Sequence, residues 1–217
     1  MIDFKLCEGV IFDLDGTLID SMWVWEQIDH DFLGKRGIEV PDDYVDIITP
    51  MGFEQCADYT IDRFHLNETK EAVMNEWHQL AIEAYATKVK IKDGVRDFLE
   101  YLKENGVKMS IATANSMDLI EPALEHNEIK HYFENITTLN EVSRGKEFPD
   151  IYDLSAKRMD ADKSKCVVFE DIIEGIQSAK SGGYTVVGVY DKRSDSRVPM
   201  LKKASDYFIY DYKECIK

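Results

Sequence analysis

From about residue 92 the sequence alternates between helix-patterned and strand-patterned stretches. That alternation constrains the fold more than any other feature. Val95, Phe98, Leu99 and Leu102 recur at helical spacing until Gly106 stops them, and "VKMSIAT" (107–113) is strand-prone. "SMDLIEPALEHN" (116–127) returns to helix, provided that Pro122 falls in or near the first turn. "NITTL" (135–139) is a short strand, Pro149 opens a helix, and "CVVFED" (166–171) is a buried strand. "IIEGIQSAKSGG" (172–183) is a helix closed by glycine, "YTVVGVY" (184–190) a strand, and "DYFIY" (206–210) a last edge strand. Strands that alternate with helices form a parallel sheet covered on both faces.

One strand signal precedes this region. "LCEGVIFD" (6–13) is apolar and ends in the Asp-Gly turn of "DLDGT". About seventy helical residues follow. Ser21 is placed to N-cap a helix carrying Trp25, Ile28 and Phe32, which Gly34 and Gly37 end. Pro41 and Pro50 bracket a short helical piece around Tyr44 to Ile48, and another runs from Phe53 to Phe64. Asn67 precedes a longer helix with Val73, Trp77, Leu80, Ala81 and Ala84 on one face. The reading is an α/β core from residues 1–17 and 91–217, with a helical domain, 18–90, inserted into it.

The 217 residues include 42 acids against 26 bases, a formal charge of −16. Such a surface repels nucleic acid and anionic membrane, so neither is expected as a partner. An anionic substrate has to be drawn in by a local cation cluster or a metal. "MIDFKLCEGVIFDLD" has no basic n-region, no stretch approaches a membrane span, and the four cysteines are scattered without a CxxC pair. The expectation is a cytoplasmic protein with inert thiols, a monomer by default. The five histidines show no ligand spacing.

Ligands of an open parallel sheet sit at the carboxyl ends of its strands. The first predicted strand ends in Asp13, Leu14, Asp15, Gly16 and Thr17, and the second in Thr113, Ala114 and Asn115. Lys146 follows the third, and Glu170 and Asp171 end the fourth. Acids, a hydroxyl and an ammonium at one rim suit a divalent cation beside a phosphoryl group. At strand periodicity Asp13 and Asp15 face one pocket, roughly 6.6 Å apart. Gly16 lets the backbone turn close to a ligand. Each cluster alone has a plainer reading: a solvated Asp-Gly turn, a helix-capping Thr113, a surface Lys146, or helix N-terminal acids. A calcium loop fails because its twelfth position is Val24, and a phosphate-binding P-loop fails because Gly145 has no glycine five residues earlier.

Taken in order, the motifs resemble those of the haloacid dehalogenase superfamily of phosphotransferases. "FDLDGTLIDS", "SIATAN", "GKEFPDIY" and "FEDIIEGIQSAKSGG" match its four motifs, across about residues 8 to 190. The resemblance implies a Rossmann-like core with a C1 cap, close to the β-phosphoglucomutases and phosphoglycolate phosphatases. It implies that Asp13 is a nucleophile forming an aspartyl-phosphate. Asp15 would protonate the leaving oxygen and then activate water. Mg²⁺ would be bound by Asp13, the backbone carbonyl of Asp15, Asp171 and, directly or through a neighbour, Glu170. Thr113, Lys146, Asn115 and the backbone N–H groups of Leu14 and Ala114 would hold the phosphoryl group of a small phosphorylated metabolite. The cap would close over the core and select the substrate.

Within that resemblance the cap departs from the mutases. They carry a His aligned with Trp25 and an Arg in the specificity loop, near "TPMGFEQ" (49–55), where this chain has Phe53 and Glu54. Residues 37 to 62 contain no Lys, Arg or His but seven acids. A bisphosphate would find no countercharge there, which favours hydrolysis over mutase chemistry. The first cap helix lacks the lysine of phosphonatases, and Asp15 argues against dehalogenation. Trp25 and Trp77 read as cap core, with Met22 and Trp23 just past the hinge. Two readings stand outside catalysis: a phosphoacceptor module, against which the helical insert counts, and a silent binding protein, against which both aspartates count.

Overall fold

The structure, a computed structural model, describes residues 2–48 and 51–216, so Thr49 and Pro50 of the predicted specificity loop lie outside the described residues. The chain divides into two units, Met1–Met22 with Val89–Lys217, and Trp23–Lys88.

The first unit is built on strand β1 (Gly9–Phe12), a run of four fully buried residues. It is flanked by β4 (Lys108–Thr113) and β6 (Cys166–Glu170), which it pairs in parallel, with Phe12 opposite both Ile111 and Phe169. β5 (Asn135–Thr138) lies outside β4, while β7 (Thr185–Val189) and the edge strand β8 (Tyr207–Ile209) continue past β6. The order β5-β4-β1-β6-β7-β8 is parallel throughout, so every strand ends at the same rim. This is the Rossmann-like α/β core.

Helices cover both faces, as the buried runs of β1 and β6 require. On one face α7 (Asp150–Arg158), α8 (Ile173–Ser181) and α9 (Val198–Ala204) bury Ile151, Tyr152, Ile176, Ala179 and Leu201 against Ile11, Ala112, Val168 and Val186. Alternate residues point the other way. There Phe12 stacks on Phe169, and both meet Phe98 of α5 (Val95–Glu104) in an aromatic layer with Phe4 and Tyr212.

Three expectations for this unit change. The strand expected over 6–13 is shorter, Gly9–Phe12, because Leu6 belongs to a 3-10 turn, Phe4–Leu6, in which Asp3 caps Lys5 and the Cys7 N–H bonds back to Phe4. Pro122 sits at the sixth position of α6 (Met117–His126), past the first turn. Burial of Leu119, Ile120, Ala123 and Leu124 on either side offsets the hydrogen bond it removes. A two-stranded antiparallel pair, β2 (Ile19–Asp20) with β3 (Lys90–Ile91), was not foreseen. Its strands are two residues each, too short for alternation to show in the sequence.

The second unit is helical: α1 (Val24–Gly34), α2 (Tyr44–Ile48), α3 (Phe53–Phe64) and α4 (Lys70–Thr87). Phe32 of α1 meets buried Trp77 of α4 edge-on, and Trp77 touches Phe53, which touches Trp25. Trp77 is therefore cap core as expected. Trp25 departs from that expectation, since it and Phe53 remain 44% and 40% exposed. The cap of α4 is Thr69, whose hydroxyl accepts from the Ala72 N–H. Ser21 does not cap α1, which begins at Val24 after Trp23, because its hydroxyl is engaged elsewhere. Among the described residues no helix is long and apolar enough to cross a membrane.

Candidate active site

The rim of the sheet beyond β1, β4 and β6 gathers the polar residues of the first unit. β1 stops at Phe12, and the Asp13 N–H still donates to Phe169 O, which keeps Asp13 beside the end of β6. The chain then coils tightly. The N–H groups of Thr17, Leu18 and Ile19 all donate to Leu14 O, and Gly16 adopts φ +77°. Asp13 and Asp15 therefore do not share a strand face, and the two-residue spacing argument fails because the second aspartate belongs to a turn. The turn places them in different surroundings.

Asp13 is 4% exposed and accepts from Lys146 Nζ at 2.5 Å. The same ammonium reaches Glu170 Oε1 at 2.5 Å. Glu170 is completely buried at the end of β6. Its Oε1 also accepts from the Tyr152 hydroxyl at 3.0 Å, and its Oε2 accepts from the Ile172 N–H. Both carboxylate oxygens are thus engaged by protein donors, which makes Glu170 an anchor for Lys146. Asp171 is buried next to it and accepts from the Thr17 hydroxyl at 3.2 Å. Glycine at position 16 is required twice: by its positive φ, and because a Cβ would lie 2.3 Å from Asp171 Oδ2. The sequence reading placed a ligand beside Gly16, and the structure places the Asp171 carboxylate there.

Asp15 is half-buried and held from two sides. Ser21 Oγ donates to Oδ1 at 2.6 Å, and Asn115 Nδ2 donates to Oδ2 at 3.1 Å. Asn115 lies just beyond β4. Its own N–H donates to the buried Thr113 Oγ1, and its Oδ1 accepts from the Ser116 N–H. Leu14 is buried, and Ala114 is exposed between Thr113 and Asn115. The structure thus brings Asp13, Lys146, Glu170 and Asp171 into one cluster, and Asp15 with Asn115 into an adjoining pair.

The electrostatics follow from burial. Desolvation and the neighbouring carboxylates push Asp171 well above the usual carboxylate range. Desolvation also raises Glu170, against the opposing pull of Lys146. Burial alone would lower Lys146, but Asp13 and Glu170 outweigh it and hold the ammonium protonated. Three buried acids against one buried cation leave excess negative charge. Carboxylate oxygens of Asp13, Glu170 and Asp171 lie within 4.8 Å of one another. Hard oxygen donors, close convergence and uncompensated charge fit a divalent cation such as Mg²⁺.

Sequence reasoning placed Thr17 at the rim without giving it a partner, and missed Ser21, Tyr152 and Gly175 as members of this arrangement. Gly175 lies inside α8, where a Cβ would stand 2.3 Å from Glu170 Oε1. A glycine in the middle of a helical pattern was the available signal. The four cysteines are free thiols. Burial pushes Cys166 and Cys215 up to about 12, as befits inert groups.

Comparison with known proteins gives one family. The family model described as "Haloacid dehalogenase-like hydrolase" matches residues 10–189. A "Bifunctional riboflavin kinase/FMN phosphatase" of Arabidopsis thaliana is 31% identical over 189 residues, covering 85% of this chain. The chain spans only 49% of that relative's length. A "Phosphorylated carbohydrates phosphatase" of Thermotoga maritima is 26% identical and matches over 88% of both chains. Among solved structures, a putative β-phosphoglucomutase from Thermotoga maritima superposes with a TM-score of 0.86 at 24% identity, over 95% of each chain. That likeness is one of fold.

Proposed function

The chain belongs to the haloacid dehalogenase-like hydrolase family, and from that premise we propose that it is a Mg²⁺-dependent phosphatase of a small phosphomonoester, acting through an aspartyl-phosphate on Asp13. The observation that carries this reading is the buried cluster in which Lys146 bridges Asp13 and Glu170 beside Asp171. Lys146 orients the Asp13 carboxylate and adds positive charge where a phosphoryl group would arrive. Asp13 and Asp171 would hold Mg²⁺ with the backbone carbonyl of Asp15, and Glu170 would support them by fixing Lys146. Bound there, Mg²⁺ supplies the charge that offsets the clustered carboxylates and the phosphoryl oxygens.

The two aspartates then take separate roles. Asp13 attacks phosphorus in line, and the bond from phosphorus to the ester oxygen breaks. Asp15, held by Ser21 and Asn115, gives its proton to that departing oxygen. In the second step Asp15 takes a proton from water. The resulting hydroxide attacks phosphorus, and the bond to Asp13 breaks, releasing inorganic phosphate. Thr113 accepts from the Asn115 N–H, so its own hydroxyl proton is the one to offer a phosphoryl oxygen.

The substrate class follows from charge. Residues 37 to 62 carry seven acids and no Lys, Arg or His, which disfavours a second phosphate and suits a neutral or cationic remainder. Relatives named for FMN and for phosphorylated carbohydrates set the range of small esters to screen. The test is steady-state turnover of an aryl phosphate and a panel of sugar phosphates, nucleotides and phosphoglycolate, with and without Mg²⁺. Mg²⁺-dependent phosphate release that disappears in Asp13→Asn supports the proposal. No turnover across the panel, or an Asp13→Asn variant as active as the native protein, overturns it. Isomerised sugar phosphate in place of free phosphate would assign a mutase.

A further inference from the structure

The turn that carries the catalytic aspartates is braced by a residue nearly two hundred positions away. Tyr212, in the short 3-10 turn Tyr212–Cys215, is 1% exposed. Its ring stacks on Phe169 at 5.6 Å and 20° and lies against Phe98 and Phe12 in the aromatic layer beneath the rim. Its hydroxyl donates to Thr17 O at 3.2 Å. Thr17 is fully buried, and its own hydroxyl donates to Asp171 Oδ1. One line of hydrogen bonds therefore runs from the C-terminal segment to a carboxylate of the acidic cluster.

The outer end of that line is itself fixed. Asp211 accepts from the Lys213 N–H, and Glu214 accepts from the Tyr210 and Asp211 N–H groups. The turn packs so closely on Gly94, at φ +77°, that a Cβ there would lie 2.8 Å from Asp211 Oδ1 and 2.9 Å from Lys213 N. The Tyr212 ring is held by stacking whether or not its hydroxyl bonds. Among the described residues the hydroxyl serves Thr17, whose buried carbonyl would otherwise lose this donor. A carbonyl that reorients to find another partner rotates the Thr17 residue, and with it the hydroxyl aimed at Asp171.

We propose that Tyr212 is a positioning residue for Asp171, acting through Thr17, so that the C-terminal turn sets the site's affinity for its divalent cation. This rests on the reading of the cluster as a Mg²⁺ site. Tyr212→Phe keeps the buried ring and removes only the hydroxyl. Titration calorimetry with Mg²⁺ alone should show its dissociation constant raised about five- to tenfold, the effect of one buried hydrogen bond. The concentration of Mg²⁺ giving half-maximal turnover should rise in parallel. KM for the phosphomonoester at saturating Mg²⁺ should stay within about twofold, and the melting temperature should fall by only about 2–4 °C.

Thr17→Val should weaken Mg²⁺ at least as much, and adding Tyr212→Phe to it should cost nothing further, because the hydroxyl through which Tyr212 acts is already gone. A purely structural role predicts a loss of thermal stability with Mg²⁺ affinity unmoved. A native Mg²⁺ constant in Tyr212→Phe, or additive effects in the double variant, overturns the proposal. Absence of Mg²⁺ binding and turnover in the native protein instead overturns the reading of the site on which it rests.

Discussion

At the scale of single residues, the separation of Asp13 from Asp15 decides what each can do. Lys146 is paired with Asp13, whereas Asp15 is held by a hydroxyl and a side-chain amide. Asp15→Asn should therefore discriminate between leaving groups. With an alkyl phosphate, whose alkoxide needs a proton to depart, kcat should fall about 10²- to 10⁴-fold. With an aryl phosphate the phenolate departs unaided, but the second step lacks its base. Rapid mixing should then show a burst of phenolate stoichiometric with enzyme, followed by a slow steady state. Equal losses with both substrates and no burst would remove Asp15 from proton transfer. Both aspartates were legible in "DLDGT", since acids directly after a buried apolar run are unusual. Their different surroundings were not. Ser21 reads as a helix cap, and only the folded turn shows its hydroxyl spent on Asp15.

At the scale of elements, helices were easy to read and their service to the site was not. α8 follows its pattern from Ile173 to Ser181, yet Gly175 within it exists because the Glu170 carboxylate lies where a Cβ would be. Gly175→Ala gains helix propensity of about 1 kcal/mol. It should nevertheless destabilise the protein by about 1–3 kcal/mol, since it forces a buried anion out of place. Activity should drop with it, because Glu170 anchors Lys146. A thermally stabilised, fully active Gly175→Ala would show that Glu170 has room to move. α1 of the helical unit supplies a second test. Asp29 is buried on that helix, and desolvation, helped by the nearby Glu26 charge, raises its pKa to about 7 from 3.8. The folded state therefore holds a proton that the unfolded state releases between these values, and this residue's contribution to stability falls as pH rises through that window. Asp29→Asn should leave stability unchanged near pH 4. By pH 8 it should add on the order of 2 kcal/mol, measured by urea unfolding of both proteins across the range. A pH-independent difference would place the Asp29 titration outside the window. No sequence pattern marks Asp29, because its three-dimensional burial, not its spacing, makes it costly.

At the scale of the whole molecule, the parallel core was legible from alternation, since a chain that alternates strand and helix has few other ways to bury both. The four site clusters were legible because such a sheet brings every strand end to one rim. What stayed hidden was contact between distant segments: Thr17 with Asp171, Tyr152 with Glu170, Tyr212 with Thr17. Those contacts join hydroxyls to groups that local propensity does not sense. The same architecture gathers negative charge into a protein already at −16, by burying Asp13, Glu170 and Asp171 against a single lysine. Folding without a cation therefore works against Coulomb repulsion in a poorly solvated place. Two consequences can be measured on the native protein and Asp171→Asn. Mg²⁺ at about a hundred times its dissociation constant should stabilise the native protein by about 2.7 kcal/mol. That corresponds to a rise in melting temperature of roughly 5–10 °C for a chain of this size, reversed by chelation. Asp171→Asn keeps an acceptor for Thr17 but removes one charge, so in chelator it should melt about 2–4 °C above the native protein. It should show almost no rise with Mg²⁺. If the variant instead melts lower in chelator and retains the full Mg²⁺ shift, then the repulsion is not centred on Asp171 and the cation binds elsewhere.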